Sequence, residues 1–449
     1  MNMSCLLDND DMLHSLLDVE EAIANTDNNN KNNNTNEVDN KADDNDNEET
    51  LVNIKAQWRD IIGFFLFGLL ADALPGYFFS ATIISTFNNN PAAMMLSASV
   101  GGLIGALGAA TLLFKRFSAE IRIVLCALTQ LIGLLLSWLL PYPTSVAGLA
   151  ILTVGFIGML ATVLPLTSYK PHAVTRAYQF GFSGSPILGI ALIELGSAIG
   201  MSINELYGVV ICVPLILCII FFLLIDRSTF KQTVTGSSIN TEDNSNKDEK
   251  TPVSLVGACK EIVWAYWLVY SLAFALHYFY LESVQQYFYS SSSSYANLEP
   301  TKSTANNIIL VTHIFVFLIG SLAGLIPRLS QANRLVLWVP MIVILALLTT
   351  LLLGLHGYFP PIGIIGTYII GVVYTGCFYY IQLFTPLIMR NDTKLTKRYI
   401  EVQIQTLVVI NQVASVSISI LSVFWASRAV HDTCRENYED VYDGVSCTY

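Results

Sequence analysis

LYGVVICVPLILCIIFFLLI, residues 206–225, runs without a single charged side chain, and DRSTFKQTVTGSSINTEDNSNKDEKT, residues 226–251, follows at once. A helix needs about 20 apolar residues to cross the hydrocarbon of a bilayer, and the first stretch supplies them. The second is rich in Ser, Asn, Asp and Lys and stops the span. Working outward from this pair, apolar windows of similar length lie near 60–86, 93–114, 120–140, 146–168 and 178–201 before it. Five more follow, near 260–288, 306–327, 334–355, 361–385 and 402–427. The pattern predicts an all-α polytopic membrane protein of about 11 transmembrane helices, six before the linker and five after it.

Composition agrees. Of 449 residues, 53% are hydrophobic and 13% charged, against about 25% charged in a soluble domain. The charge that remains is uneven. Residues 1–57 hold 14 Asp/Glu and 3 Lys/Arg, whereas the rest of the chain holds 20 of each sign. The acidic balance therefore belongs to the amino-terminal segment and says nothing about the partners of the membrane body. Its Asn- and Asp-rich run has too few apolar residues to offset the entropy of ordering. We read residues 1–57 as a disordered cytosolic tail, 58–225 as a six-helix bundle, 226–258 as a cytosolic linker, 259–427 as a five-helix bundle and 428–449 as a lumenal tail. No signal peptide opens the sequence, so the span beginning near Trp58 is expected to stay as an uncleaved anchor.

Orientation follows from the positive-inside bias. With the amino terminus in the cytosol, 20 of the Lys and Arg residues fall on cytosolic segments, and 3 (Lys302, Arg428 and Arg435) fall on the opposite side. An odd number of spans then places the carboxy terminus in the lumen. Cys434 and Cys447 would lie in an oxidising compartment and are candidates for a bridge. The Asn391-Asp392-Thr393 triplet would lie on the cytosolic side and escape glycosylation. The remaining cysteines show no CxxC or metal spacing, and Cys126, Cys212, Cys218 and Cys377 read as small buried hydrophobes.

Ionisable groups inside spans are costly in lipid and are functional candidates for that reason. Asp72 in span 1, Glu194 in span 5 and Glu282 in span 7 are the acids; His277 and His313 add titratable groups in spans 7 and 8. Each could line a substrate cavity or carry a coupling proton; the plain alternative is a hydrogen bond that ties helices together. Pro75-Gly76 just after Asp72 would interrupt the helical ladder, a recurrent way to open a cavity in a membrane bundle. Gly101, Gly102, Gly105 and Gly108 in span 2, and Gly181, Gly184 and Gly189 in span 5, provide small surfaces for close helix packing. Arg176 reads as an inside-positive anchor at the mouth of span 5. No nucleotide-binding loop, zinc signature or basic nucleic-acid patch occurs, and no nucleophile, base and orienting group share a recognisable spacing. Neither enzyme activity nor a cofactor or metal is expected.

Several segments resemble the battenin family of lysosomal and vacuolar membrane proteins. They include Gly63-Phe-Phe-Leu-Phe-Gly-Leu with Tyr77-Phe-Phe-Ser-Ala81, and Leu164-Pro-Leu-Thr-Ser-Tyr-Lys-Pro-His-Ala-Val174 running into Gly181-Phe-Ser-Gly184 and Gly189. Tyr278-Phe-Tyr-Leu-Glu282 with Gln285-Gln286, Tyr374-Thr-Gly-Cys-Phe378-Tyr379-Tyr-Ile381, and the pair Glu401 and Asn411 complete the set. The chain departs from the family at Asp72, Leu160, Pro186 and Asn411, and Glu282 is displaced by one residue relative to Gln285-Gln286. The resemblance implies a major-facilitator-like fold, a lysosomal or vacuolar membrane, and a role in organelle pH and small-solute homeostasis. Its implied partners are a small solute, protons and the bilayer, with no nucleic acid. The equilibrative nucleoside transporters share the eleven-span plan, the cytosolic central loop and the small-residue turn in span 5, and they stand as the second reading. A non-transporting scaffold whose acidic tail recruits cytosolic partners stands as the third.

Overall fold

The computed structural model describes residues 58–71, 91–110, 117–139, 144–227, 264–285, 311–315, 317–318, 334–360, 362–391 and 397–440. Asp72, Pro75, Gly76, Cys447, most of the central linker and the amino-terminal segment lie outside these. Residues 56–449 cluster as one compact unit. Among the described residues every regular element is helical.

In chain order these are α1 (58–71), α2 (Pro91–Ala110), α3 (Ala119–Leu139), α4 (Thr144–Leu166), α5 (His172–Ala198), α6 (Ile203–Val210) and α7 (Val213–Leu224). After the linker come α8 (Trp264–Phe279), α9 (311–315), α10 (Trp338–Leu355), α11 (Ile364–Asn391), α12 (Lys397–Leu421) and α13 (Ser427–Cys434). Helices α6 and α7 meet at Ile211–Cys212 and together make the span over residues 206–225. Six described helical segments are long and apolar enough to cross a membrane, among them Val146–Tyr169, Ile365–Arg390 and Val402–Trp425.

Two boundaries differ from the sequence reading, each for a physical reason. Helix α5 begins at His172, not near 178, because Pro171 opens its first turn and accepts the Val174 N–H at 3.0 Å. Arg176 therefore sits within the helix. Helix α11 continues to Asn391, past 385, carrying Pro386 inside it. A membrane helix tolerates such a residue when its neighbours resatisfy the freed carbonyl, and the extension brings Arg390 into the last turn.

Glycine decides how closely the first helices approach. A side chain on Gly181 of α5 would meet the Phe65 carbonyl of α1, and one on Gly68 of α1 would meet the Tyr178 carbonyl of α5. The two helices thus share a reciprocal small-residue contact, flanked by Phe64 against Tyr178 at 6.5 Å and Phe65 against Phe180 at 5.4 Å. Gly101 and Gly105 of α2 lie against Ala150 and Val154 of α4, and Gly133 of α3 lies against Leu152. Between helices in lipid, where the hydrophobic effect is no drive, such backbone proximity supplies the packing.

Several threonine hydroxyls in the spans are satisfied within their own helix. Thr129, Thr153, Thr162, Thr385 and Thr406 each donate to the carbonyl four residues back, at 2.6–2.8 Å. Turns outside the spans use ordinary devices. Ser202 and Glu205 form a reciprocal capping box at the start of α6, and Gly200 and Gly357 take positive φ just past α5 and α10.

Gly181→Leu is expected to force α1 from α5 and to destabilise the fold by about 1–3 kcal/mol or more, because the obstacle is backbone. Gly208→Ala, where nothing lies within 4 Å, should be neutral or slightly stabilising. Thermal unfolding of both variants in detergent checks the contrast.

Candidate functional site

Charged side chains gather at one end of the helices. Lys170, between α4 and α5, places Nζ 2.8 Å from Asp60 of α1 and 3.2 Å from Asp226 just after α7. The Asp226 N–H donates to the same Asp60 carboxylate at 2.7 Å. Around this triad Arg59 donates to the Leu223 carbonyl at 2.7 Å, and Arg227 pairs with Glu120 of α3 at 2.9 Å. The Asp60 and Lys170 side chains are 6% and 5% exposed, so the pair is buried and each charge depends on the other. The starts of α1, α3 and α5 and the ends of α4 and α7 thus meet at one face, as alternate crossing of a membrane requires. At the other face Trp138, near the end of α3, stacks on Tyr207 of α6 at 6.5 Å.

Arg390, in the last turn of α11, reaches into this cluster from the second half of the sequence. Its Nη1 donates to the Thr167 carbonyl at 3.2 Å and to the Thr175 hydroxyl at 2.6 Å, and its Nη2 donates to the Lys170 carbonyl. Thr167 and Lys170 follow the end of α4, and the Thr167 carbonyl also accepts the Lys170 N–H and the Thr175 hydroxyl, each at 3.2 Å. The guanidinium therefore joins the two halves through neutral acceptors on the α4–α5 connection.

A second junction runs between α2 and α12. The Ser99 hydroxyl lies 2.6 Å from that of Ser415 and 3.1 Å from that of Ser419, all buried, and the Gln412 side chain covers Gly102. Ser415 and Ser419 are one turn apart, so Ser99 bonds two successive turns of α12. Further along, Ser422 meets Ser283 at 2.9 Å. These two serines lie in π-helical turns, Ser422–Ala426 and Tyr280–Val284, which continue α12 and α8.

Aromatic rings and imidazoles line the contact of α8 with α11. His277 stacks on Phe378 with centroids 3.7 Å apart and planes 9° apart, and lies 6.1 Å from Tyr374. Phe274 meets Phe378 edge-on at 4.8 Å, Tyr280 lies 4.3 Å from Tyr374, and His313 of α9 meets Tyr379 at 6.0 Å. The Tyr374 hydroxyl donates to the Leu276 carbonyl at 2.9 Å, just before the widened turn of α8. His277 Nδ1, Thr312 Oγ1 and Gln382 Oε1 are buried without a hydrogen-bond partner. Unpaired polar atoms beside stacked rings are what a ligand-binding wall would offer.

Of the residues singled out from sequence, the structure brings His277 and His313 to this aromatic wall. Asp72 lies outside the described residues. Glu194 lies in α5 and Glu282 in the π turn after α8, but their side chains are likewise outside the description. Gly181 faces α1, Gly184 faces Phe317 and Leu69, and Gly189 is buried in α5. Sequence reasoning passed over Asp60, Lys170, Asp226 and Arg390 as chemistry, since charges at span ends serve equally as topological anchors. Cys434 is disulfide-bonded, with its partner outside the described residues.

Asp60→Asn should leave Lys170 partly uncompensated and cost about 3–5 kcal/mol, the range for breaking a buried pair. Glu120→Gln at the half-exposed pair with Arg227 should cost under about 1 kcal/mol. Thermal unfolding of the two variants, compared in one detergent, separates a buried structural pair from a rim contact.

No protein-family model matches the chain, and no curated protein sequence does. Solved structures do. The chain is similar to the E. coli fucose:proton symporter FucP at 15% identity and TM-score 0.53, over 86% of this chain and 95% of that one. It is similar to the nucleoside transporter NupG at 15% identity and TM-score 0.53, over 85% and 96%. The human organic anion transporter MFSD10 matches at 11% identity and TM-score 0.52, over 84% and 97%. At these identities the likeness establishes the fold alone: a multi-pass, all-α membrane protein of major-facilitator-like architecture.

Proposed function

We propose that the chain is a solute transporter working by alternating access, with residues 58–225 and 259–427 rocking against each other about a site near the bilayer midplane. The observation that carries this reading is Arg390, which bridges the two halves at one face through hydrogen bonds to neutral acceptors. Such a contact can close a pathway in one state and release it in another. The hydroxyl seam of Ser99 with Ser415 and Ser419 supports the same reading, since two equivalent partners one turn apart allow the halves to shift without stranding a polar group.

Within that framework Asp72, Glu194 and Glu282 are proposed as cavity acids that carry coupling protons, with His277 and His313 on the wall. A battenin-like role in the lysosomal or vacuolar membrane, serving organelle pH and solute homeostasis, fits best. In the π turn the Gln285 N–H bonds to the Tyr280 carbonyl, five residues back. A π turn accommodates one extra residue, the same offset by which Glu282 departs from the battenin pattern. The disulfide at Cys434 supports a lumenal carboxy terminus. A nucleoside transporter is the second reading. It is favoured by the flat ring stack of His277 on Phe378 beside unpaired neutral groups, which suits a nucleobase, and by likeness to NupG.

Uptake into proteoliposomes under an imposed pH gradient tests the proposal, with glycerophosphodiesters, basic amino acids and nucleosides as solutes. Saturable flux of one class is expected, and Asp72→Asn and Glu282→Gln should lose the pH-driven component while retaining exchange. Nucleoside flux would select the second reading. Silence across the panel from folded protein would contradict transport and favour a scaffold.

A further inference from the structure

We propose that Arg390 is a state-dependent receptor for a small oxyanion, a phosphate- or carboxylate-bearing group that replaces the α4–α5 acceptors when the two halves part. The proposal rests on the transporter reading for the motion, but not for the chemistry. Every partner of Arg390 (the Thr167 carbonyl, the Lys170 carbonyl and the Thr175 hydroxyl) is uncharged and belongs to the other half of the sequence. Among the described residues, the acids of this face are engaged elsewhere: Asp60 and Asp226 hold Lys170, and Glu120 holds Arg227. The guanidinium is half-buried in α11, and among the described residues it has no carboxylate partner. If α11 moves away from the α4–α5 connection, it loses all three acceptors in one step. A desolvated guanidinium without acceptors is costly.

Geometry specifies the replacement. Nη1 and Nη2 both point across the junction, to carbonyls three residues apart in sequence. A fork of two parallel N–H donors matches an oxyanion bidentately, and charge-assisted bonds of this kind are roughly twice as strong as bonds to neutral acceptors. An oxyanion therefore binds the open junction in preference to the closed one, and shifts the population towards opening by its differential affinity. The same chemistry can come from a free solute or from a lipid headgroup.

The test uses full-length purified protein in neutral-lipid nanodiscs and equilibrium binding of inorganic phosphate. Arg390→Gln should abolish saturable binding, and Arg390→Lys, which keeps charge but loses the fork, should weaken it. Thr175→Val removes an acceptor of the closed junction while leaving Arg390 intact, and should tighten phosphate binding roughly tenfold, the worth of one hydrogen bond to a charged group. A merely structural Arg390–Thr175 contact would move both variants the same way, so weakening or no change in Thr175→Val would overturn the proposal. Arg227→Gln, a cation of the same face, should leave binding unchanged. Repeating the assay in nanodiscs with phosphatidylglycerol separates the sources: displaced phosphate identifies a headgroup as occupant, and retained phosphate identifies a soluble anion. Binding that follows this pattern without measurable flux upholds the site and contradicts the transporter reading. Flux without Arg390-dependent binding does the reverse.

Discussion

Lys170 held between Asp60 and Asp226 is the contact on which the rest of this face depends. It joins the start of α1, the connection before α5 and the end of α7. Burying the Asp60 and Lys170 charges is expensive, and their attraction offsets that cost only if the geometry is close and the remaining lone pairs are filled. The Asp226 N–H fills one of them on Asp60. With the ends of the first-half helices pinned in this way, the carbonyls of Thr167 and Lys170 are held where Arg390 of α11 can reach them. The triad contributes rigidity on one side of the junction, while the neutral acceptors leave the junction itself separable.

The interior follows from a different constraint, that polar groups in lipid need partners. Threonines resolve it within their own helix by donating back one turn. The serines of α12 resolve it between helices, with Ser99 and Ser283 as partners. His277, stacked on Phe378, leaves Nδ1 buried and unpaired, and Thr312 and Gln382 each leave a buried atom unpaired. The proposed solute site is set against the wall between α8 and α11, and the proposed movement against the serine seam.

Much of the architecture was legible in the sequence, because hydrophobic length is a direct physical consequence of the bilayer. The span over residues 206–225 and the helical character of the described residues followed from that signal. Boundaries at Pro171 and Pro386 did not, since hydropathy windows register apolar content and not the turn that a proline opens or the helix that continues past one. His277 and His313 were visible as titratable groups inside apolar windows. The Asp60–Lys170–Asp226 triad and Arg390 were not, because they lie 56 to 330 residues apart in sequence, and charges that flank spans look alike whether they anchor a helix or join two. The rings of Tyr374 and Phe378 stood in a quoted motif, but their stacking with His277 depends on how α8 packs on α11.

The central claim is that the Arg390 junction opens and closes as a solute crosses. The most direct measurement joins its two sides reversibly, using Thr175→Cys and Arg390→Cys in a background lacking the other free cysteines. A short cleavable thiol cross-linker is added, and proteoliposome flux is read before cross-linking, after it and after cleavage. The account predicts that joining the two positions stops flux and that cleavage restores it, while the same treatment of either single variant has no effect. Undiminished flux through the cross-linked protein would contradict it.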